Sequence, residues 1–185
     1  NTETGPYPVP VSELLGEMAA AAVLMQSNIK FNGAVVMQIF GEGPVKLAVT
    51  EVQPDLAFRT TAKLDEVQSP FQKIEIYQST DWGKLMVIDG AMMLTTRDNF
   101  FYHEMIAHPV LFTHPAPKRV VIIGGGDCGT LREVLKHPGV ESVTQCDIDE
   151  QVTRMAEKHF PELCESNNDP RAELLFDDGV PHGRP

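Results

Sequence analysis

The sequence predicts an α+β chain in two parts: an N-terminal helix plus antiparallel meander, then a β-hairpin subdomain and an incomplete parallel α/β sheet. Three observations lead there. Residues 120–123 are an uninterrupted β-branched run, as expected of a parallel strand buried on both faces and central in its sheet. Around it the text alternates: strand 120–123, helix about 129–136, strand 140–146, helix about 149–159, strand 172–176, a pattern of right-handed βαβ units. Upstream, period-two alternation is punctuated by turn pairs such as Asn32-Gly33 and Asp89-Gly90, which read as antiparallel hairpins.

In chain order, residues 1–11 hold three prolines and a glycine and read as an irregular arm. Ser12 is placed to cap a helix running to about Gln26, with Leu14, Met18, Ala21, Ala22 and Met25 on its apolar face. Asn32-Gly33 predicts a type I′ hairpin between 29–31 and 34–40, and Gly41 to Pro44 turns the chain into an alternating strand over 45–50. Gln53-Pro54-Asp55 turns it again before a strand over 56–62. From Phe71 an alternating strand leads through Thr80-Asp-Trp-Gly83 to its partner over 84–88, and Asp89-Gly90 leads to 91–95. Thr96 or Asp98 can cap a helix to about Phe112, with Phe101, Met105, Ile106 and Val110 buried; Pro115 and Pro117 end it.

The strand at 120–123 runs into Gly124, Gly126 and Gly129, at G-x-G-x-x-G spacing, which lets the backbone turn sharply and approach a ligand at a helix start. Asp147, eighteen residues beyond Gly129, ends the next strand where a carboxylate can accept hydrogen bonds from a ribose diol. This makes the second part a Rossmann-like nucleoside site. Asp127 sits among the glycines, and its charge would spoil a pyrophosphate cradle. It argues for a cationic ligand group, a sulfonium with an amine near it, over NAD. Asp177-Asp178-Gly179 ends the third strand at the same carboxyl edge.

Composition narrows the partners. Of 185 residues, 42% are hydrophobic and 22% charged, an ordinary globular balance. A net charge of −11 disfavours nucleic acid and anionic membrane and suits cationic small molecules. The first 64 residues hold six acids against four bases, so the acidity belongs mainly to the remainder. Cys128, Cys146 and Cys164 are far apart with no C-x-x-C pair, which indicates neither a zinc site nor a disulfide framework and points to a reducing cytoplasm. No metal is expected, nor a membrane span or leader, since the longest uncharged window is too short to cross a bilayer.

Two resemblances divide the text. Leu15-Gly-Glu-Met-Ala-Ala-Ala-Ala-Val, Asn28-Ile-Lys-Phe-Asn-Gly and Gly41-Glu-Gly-Pro-Val-Lys-Leu-Ala-Val resemble the N-terminal part of the redox-regulated thirty-three-kilodalton heat-shock chaperonin over about residues 7–63. That resemblance implies a client-binding fragment for unfolded proteins, without the four-cysteine zinc module of the family. The second runs over about 64–180. Phe71-Gln72, Leu94-Thr-Thr-Arg-Asp98, Phe101-Tyr-His-Glu-Met105, Gly124-Gly-Gly-Asp127, Leu131-Arg-Glu-Val134, Glu141-Ser-Val143, Asp147-Ile-Asp-Glu150 and Asp178-Gly179 look like spermidine synthase, the polyamine aminopropyltransferase.

The second resemblance implies aminopropyl transfer from decarboxylated S-adenosylmethionine, a co-substrate and not a permanently bound cofactor, to a putrescine-like diamine, releasing methylthioadenosine. It places Gln72 on the donor nucleoside, Asp127 on the aminopropyl amine, Asp147 on the ribose hydroxyls and Asp178 on the adenine amino group. Tyr102 would flank the transferred carbon and the acceptor amine, with His103 beside it at the cleft; Tyr102 and Asp127 are the catalytic candidates. A methyltransferase would share the strand and acid but leaves Phe101 to Met105 without a reason. Cys128 stands where the family often has glycine, so a positive φ there would be strained. The family's next strand, bearing the catalytic base, does not follow Asp178-Gly179, which implies a chain inactive alone. A homodimer is the expected assembly.

The expected domains are 1–63 (helix and meander), 64–96 (hairpin subdomain), 97–180 (partial nucleoside-binding domain) and a tail at 181–185. The join admits three accounts: a chimera joined near Thr60 to Leu64, segments of two proteins brought into one sequence, or a larger assembly completed by other chains.

Overall fold

The computed structural model describes residues 9–179. They form two compact units, one from residues up to 68 together with 75–97, the other from 69–74 together with 98 onward. The tail expected at 181–185 and most of the expected N-terminal arm lie outside the described residues.

In the first unit α1 (Val9–Asn28) packs on a sheet ordered β1 (Val35–Phe40), β2 (Leu47–Val52), β3 (Phe58–Gln68), β4 (Lys73–Ser79), β5 (Gly83–Ile88), β6 (Ala91–Thr95). The helix starts earlier than its serine suggests. Pro10 sits in the first turn, where its missing N–H costs nothing, so Ser12 is an exposed residue inside the helix and not its cap. The buried face is Val11, Leu15, Met18, Ala19 and Ala22, displaced from the expected one: Ala21 and Met25 are exposed. Val11, Leu15 and Met18 pack with Ala48 of β2 and Ala62 of β3, small residues that let the helix lie close to the sheet.

The turn pairs divide by backbone angle. Asp89 and Gly90 take φ of 47° and 81°, as a type I′ turn demands, and join β5 to β6. Asn32 and Gly33 take no positive φ, and 29–31 is not a strand. The hairpin expected there is replaced by a link from α1 to β1, held where Gln26 Nε2 donates to the Gly33 carbonyl at 3.2 Å. The boundary expected between 63 and 64 falls inside β3, an unbroken eleven-residue strand. The half-buried Lys63 there pairs with Glu66 and, across the sheet, with Glu75. Although burial alone would lower its pKa, these hydrogen bonds hold the Lys63 ammonium above its ordinary value.

In the second unit β7 (Arg119–Ile123), β8 (Ser142–Asp147) and β9 (Ala172–Phe176) pair in parallel in that order. α3 (Gly129–Leu135) links the first two, and α4 (Glu150–His159) with a 3₁₀ turn at Pro161–Leu163 links the last two. β7 is therefore not central among the described residues; β8 is. Nor is β7 buried on both faces. Val120 and Ile122 pack inward, whereas Val121 is 68% and Ile123 85% exposed.

The covered face meets α2 (Asn99–Thr113) and α3 through Ala107, Leu111, Leu131, Val134 and Leu135. This overturns the expected face of α2: Phe101, Met105, Ile106 and Val110 are exposed, and His103, Ala107 and Leu111 are buried. A Cβ on Gly129 would lie 2.3 Å from His103 Nε2, so glycine at the start of α3 lets that helix approach α2 closely over the buried imidazole. Among the described residues no helix is long and apolar enough to cross a membrane.

Leu131 is fully buried at the centre of this cluster, so Leu131→Ala is expected to lower unfolding free energy by about 2–5 kcal/mol in a urea titration.

Candidate functional site

The carboxyl ends of β7, β8 and β9 converge on one edge of the parallel sheet. Gly124 and Gly125 carry the chain out of β7 with φ of 79° and 80°, angles open to glycine without strain. The Gly124 N–H donates to the Cys146 carbonyl at 2.7 Å, which keeps the turn against β8. Cys128 follows in the left-handed region with φ of 67°, the strained conformation expected of a non-glycine there, and α3 begins at Gly129. Left-handed backbone costs an L-residue about 1–2 kcal/mol.

Asp147 ends β8 and is the anchor of the edge. Its Oδ2 accepts the Gly126 N–H at 2.8 Å and its Oδ1 accepts the Asp149 N–H at 2.9 Å. Glycine is required at 126, because a Cβ would stand 2.9 Å from Asp147 Oδ2 and 3.0 Å from Val152. From α4, Thr153 Oγ1 donates to the Gly126 carbonyl at 2.8 Å. Each Asp147 oxygen has spare acceptor capacity for a ligand hydroxyl.

Asp127 is fixed by one oxygen, with Oδ1 accepting the Gly129 N–H at 2.8 Å. Its other oxygen lies 3.6 Å from His103 Nε2. His103 is buried beneath the turn, and its Nδ1 is 3.3 Å from Thr130 Oγ1. Burial pushes the imidazole pKa below its ordinary value, against the opposite pull of Asp127. Around Cys128, the hydrogen bond from the Cys164 thiol lowers the thiol pKa despite burial, helped by the Gln145 and Asn167 amides.

The structure thus gathers Gly124, Gly126, Asp127 and Asp147. Asp178 follows β9 at the same edge, where the Asp177 N–H donates to the Asp147 carbonyl at 3.0 Å. Tyr102 is 63% exposed on α2, its ring edge-on to His103 at 5.4 Å between centroids. Gln72 reaches the edge through a residue that sequence reasoning passed over: its Nε2 donates to Asp149 Oδ2 at 3.0 Å. Asp149 is legible as a helix cap, one residue before α4, and its Oδ1 accepts the Gln151 N–H. Its tie to a residue 77 positions away leaves no local signal.

A parallel sheet with glycine turn, helix start and acid at the end of the second strand defines a Rossmann-like nucleoside-binding unit. Residues 99–184 match the family model described as the spermine/spermidine synthase domain, and residues 2–105 match that of the Hsp33 protein. The polyamine aminopropyltransferase of Xanthomonas axonopodis pv. citri (strain 306) is 86% identical over 125 residues, 68% of this chain and 44% of that relative. Its counterpart in Xanthomonas campestris pv. campestris (strain B100) is 85% identical over the same length. A crystal structure of spermidine synthase from Thermotoga maritima is 44% identical with a TM-score of 0.62, covering 65% of this chain and 42% of that one. A spermidine synthase in complex with the transition-state analogue AdoDATO is 34% identical with a TM-score of 0.61, covering 82% and 50%. By these matches the chain belongs to the Hsp33 family in its first part and to the spermine/spermidine synthase family in its second.

The chain spans less than half the length of the curated relatives it matches. An alignment of 125 residues cannot fit between residue 99 and the end of the chain, so the synthase likeness reaches back across β4 to β6, which the Hsp33 match also spans. Identity at 86% assigns that stretch to the synthase side.

Because the folded His103 and His137 both hold a lowered pKa, in each case chiefly through burial, the unfolded chain takes up their protons first. The stability they contribute is full above about pH 6.5 and is lost as pH falls below it. Urea titrations at pH 7.5 and 5.5 should show a smaller acid loss for His103→Gln than for the unchanged protein.

Proposed function

We propose that the second part of this chain holds the donor side of an aminopropyl transfer from decarboxylated S-adenosylmethionine to a putrescine-like diamine. The observation that carries the reading is Asp127, a carboxylate inside the glycine turn with one oxygen held by the Gly129 N–H and the other available to a cation. A phosphate would be repelled there; an ammonium is attracted.

In this reading the Asp147 carboxylate takes the ribose hydroxyls, Gln72 the nucleoside, Asp178 the adenine amino group, and Asp127 the aminopropyl ammonium. Tyr102, exposed on α2, flanks the transferred carbon. His103 is buried, so its effect on the acceptor passes through Asp127. The acceptor nitrogen's lone pair forms the new C–N bond at the carbon beside sulfur, and the C–S electron pair returns to sulfur. The sulfonium becomes the neutral thioether of methylthioadenosine, and the proton left on nitrogen goes to a base. The site works by holding two cations in line and by charge stabilisation. Three free cysteines support a reducing cytoplasm as its setting.

Isothermal calorimetry with methylthioadenosine should register binding that Asp147→Ala weakens at least about tenfold, the loss of charged hydrogen bonds. Equal heats for the two proteins, or preferential binding of NAD, would remove the assignment.

A second reading rests on the Hsp33 match over 2–105 and on an apolar groove of about 480 Å³ on α1, lined by Leu15, Ala19, Val23 and Phe58 among others. Such a surface suits unfolded clients. The whole chain should then slow the thermal aggregation of a reporter enzyme and lose that effect on Phe58→Glu; an unchanged aggregation curve ends this reading.

A further inference from the structure

We infer that Asp149 is a positioning residue for nucleoside recognition: it fixes the amide of Gln72 so that the amide oxygen is presented as an acceptor to the donor nucleoside. This rests on the reading of Gln72 and Asp147 as nucleoside contacts.

The argument starts from what a carboxylate can do. It only accepts hydrogen bonds, so the Gln72 group facing Asp149 Oδ2 at 3.0 Å must be its NH₂, and Oε1 is turned away. A glutamine with neither end fixed would offer a ligand either face. Here the acceptor face is selected, which suits a ribose hydroxyl or an exocyclic amine and disfavours a ligand presenting only acceptors.

The same carboxylate oxygen fastens the loop that carries Gln72. Ser69 Oγ donates to Asp149 Oδ2 at 2.6 Å while accepting the Phe71 and Gln72 N–H groups at 3.1 and 3.0 Å. The Ser69 N–H donates to the Gln72 carbonyl at 3.0 Å, closing a tight turn over 69–72. Asp149 is 2% exposed, so water competes little for these bonds. Its other oxygen caps α4 by accepting the Gln151 N–H at 3.0 Å, and its own N–H donates to Asp147 Oδ1. Two carboxylates spaced two residues apart therefore divide the work. Asp147 turns to the glycine loop and the ligand, and Asp149 turns inward and orients the loop that supplies the second contact.

A double-mutant cycle on the full chain, read by calorimetry with methylthioadenosine, tests this. Asp149→Asn allows the facing amide to reverse and should weaken binding about 3- to 10-fold, the worth of one hydrogen bond. In a Gln72→Ala background the same change should weaken it less than about twofold, because nothing remains to be oriented. Ser69→Ala, which leaves the α4 cap in place, should weaken binding with the same dependence on Gln72 and serves if Asp149→Asn does not fold. A purely structural Asp149 predicts equal losses in both backgrounds, and that result overturns the inference while leaving the site intact. Failure of the unchanged protein to bind methylthioadenosine overturns the reading of the site and this inference together. Binding that withstands Gln72→Ala overturns the inference and removes Gln72 from the site, while leaving the roles of Asp127 and Asp147.

Discussion

The second unit depends on one carboxylate accepting two backbone N–H groups. Asp147 joins the turn after β7 to the start of α4 by bonding Gly126 and Asp149. That bridge gives the two loops at the sheet's carboxyl edge a shared reference. The bridge is possible only because Gly126 has no side chain where Asp147 and Val152 already stand. Thr153 closes the arrangement by donating to the carbonyl of the same glycine.

The parallel half was readable because its signals are local. A β-branched run, a glycine cluster and an acid at a strand end each occupy a few consecutive residues, and β7, α3, β8, α4 and β9 fall close to where they were expected. The structure departs from those local signals where a distant partner decides. The buried face of α2 is the one that meets α3, so His103, Ala107 and Leu111 turn inward while Phe101 and Met105 do not. Asn32-Gly33 has turn chemistry, but the backbone there is pinned by Gln26 from α1 and makes no hairpin. On β7 only Val120 and Ile122 are covered while Val121 and Ile123 lie exposed, and an unbroken β-branched run carries no signal for which face is left open. Of the site, Asp127 and Asp147 were legible from spacing, whereas Asp149 matters through Ser69 and Gln72, about eighty residues away.

The two family likenesses meet without a structural seam. β3 carries the change of text through its middle, pairing with β2 on one side over Phe58 to Lys63. Lys63, at the end of the chaperonin-like text, is paired with Glu75 of the synthase-like text. A sheet needs only period-two alternation and backbone hydrogen bonds to continue, so the strand order of this unit does not depend on both segments sharing an origin.

The outer side of β7 has a consequence for encounters between copies. Its backbone groups lack a strand partner among the described residues, and Val121 and Ile123 lie bare beside them, which is the profile of an edge that recruits other strands. The exposed Arg119 opens that strand. Arg119 thus places a charge at one end of that edge, the kind of residue that discourages unplanned strand pairing.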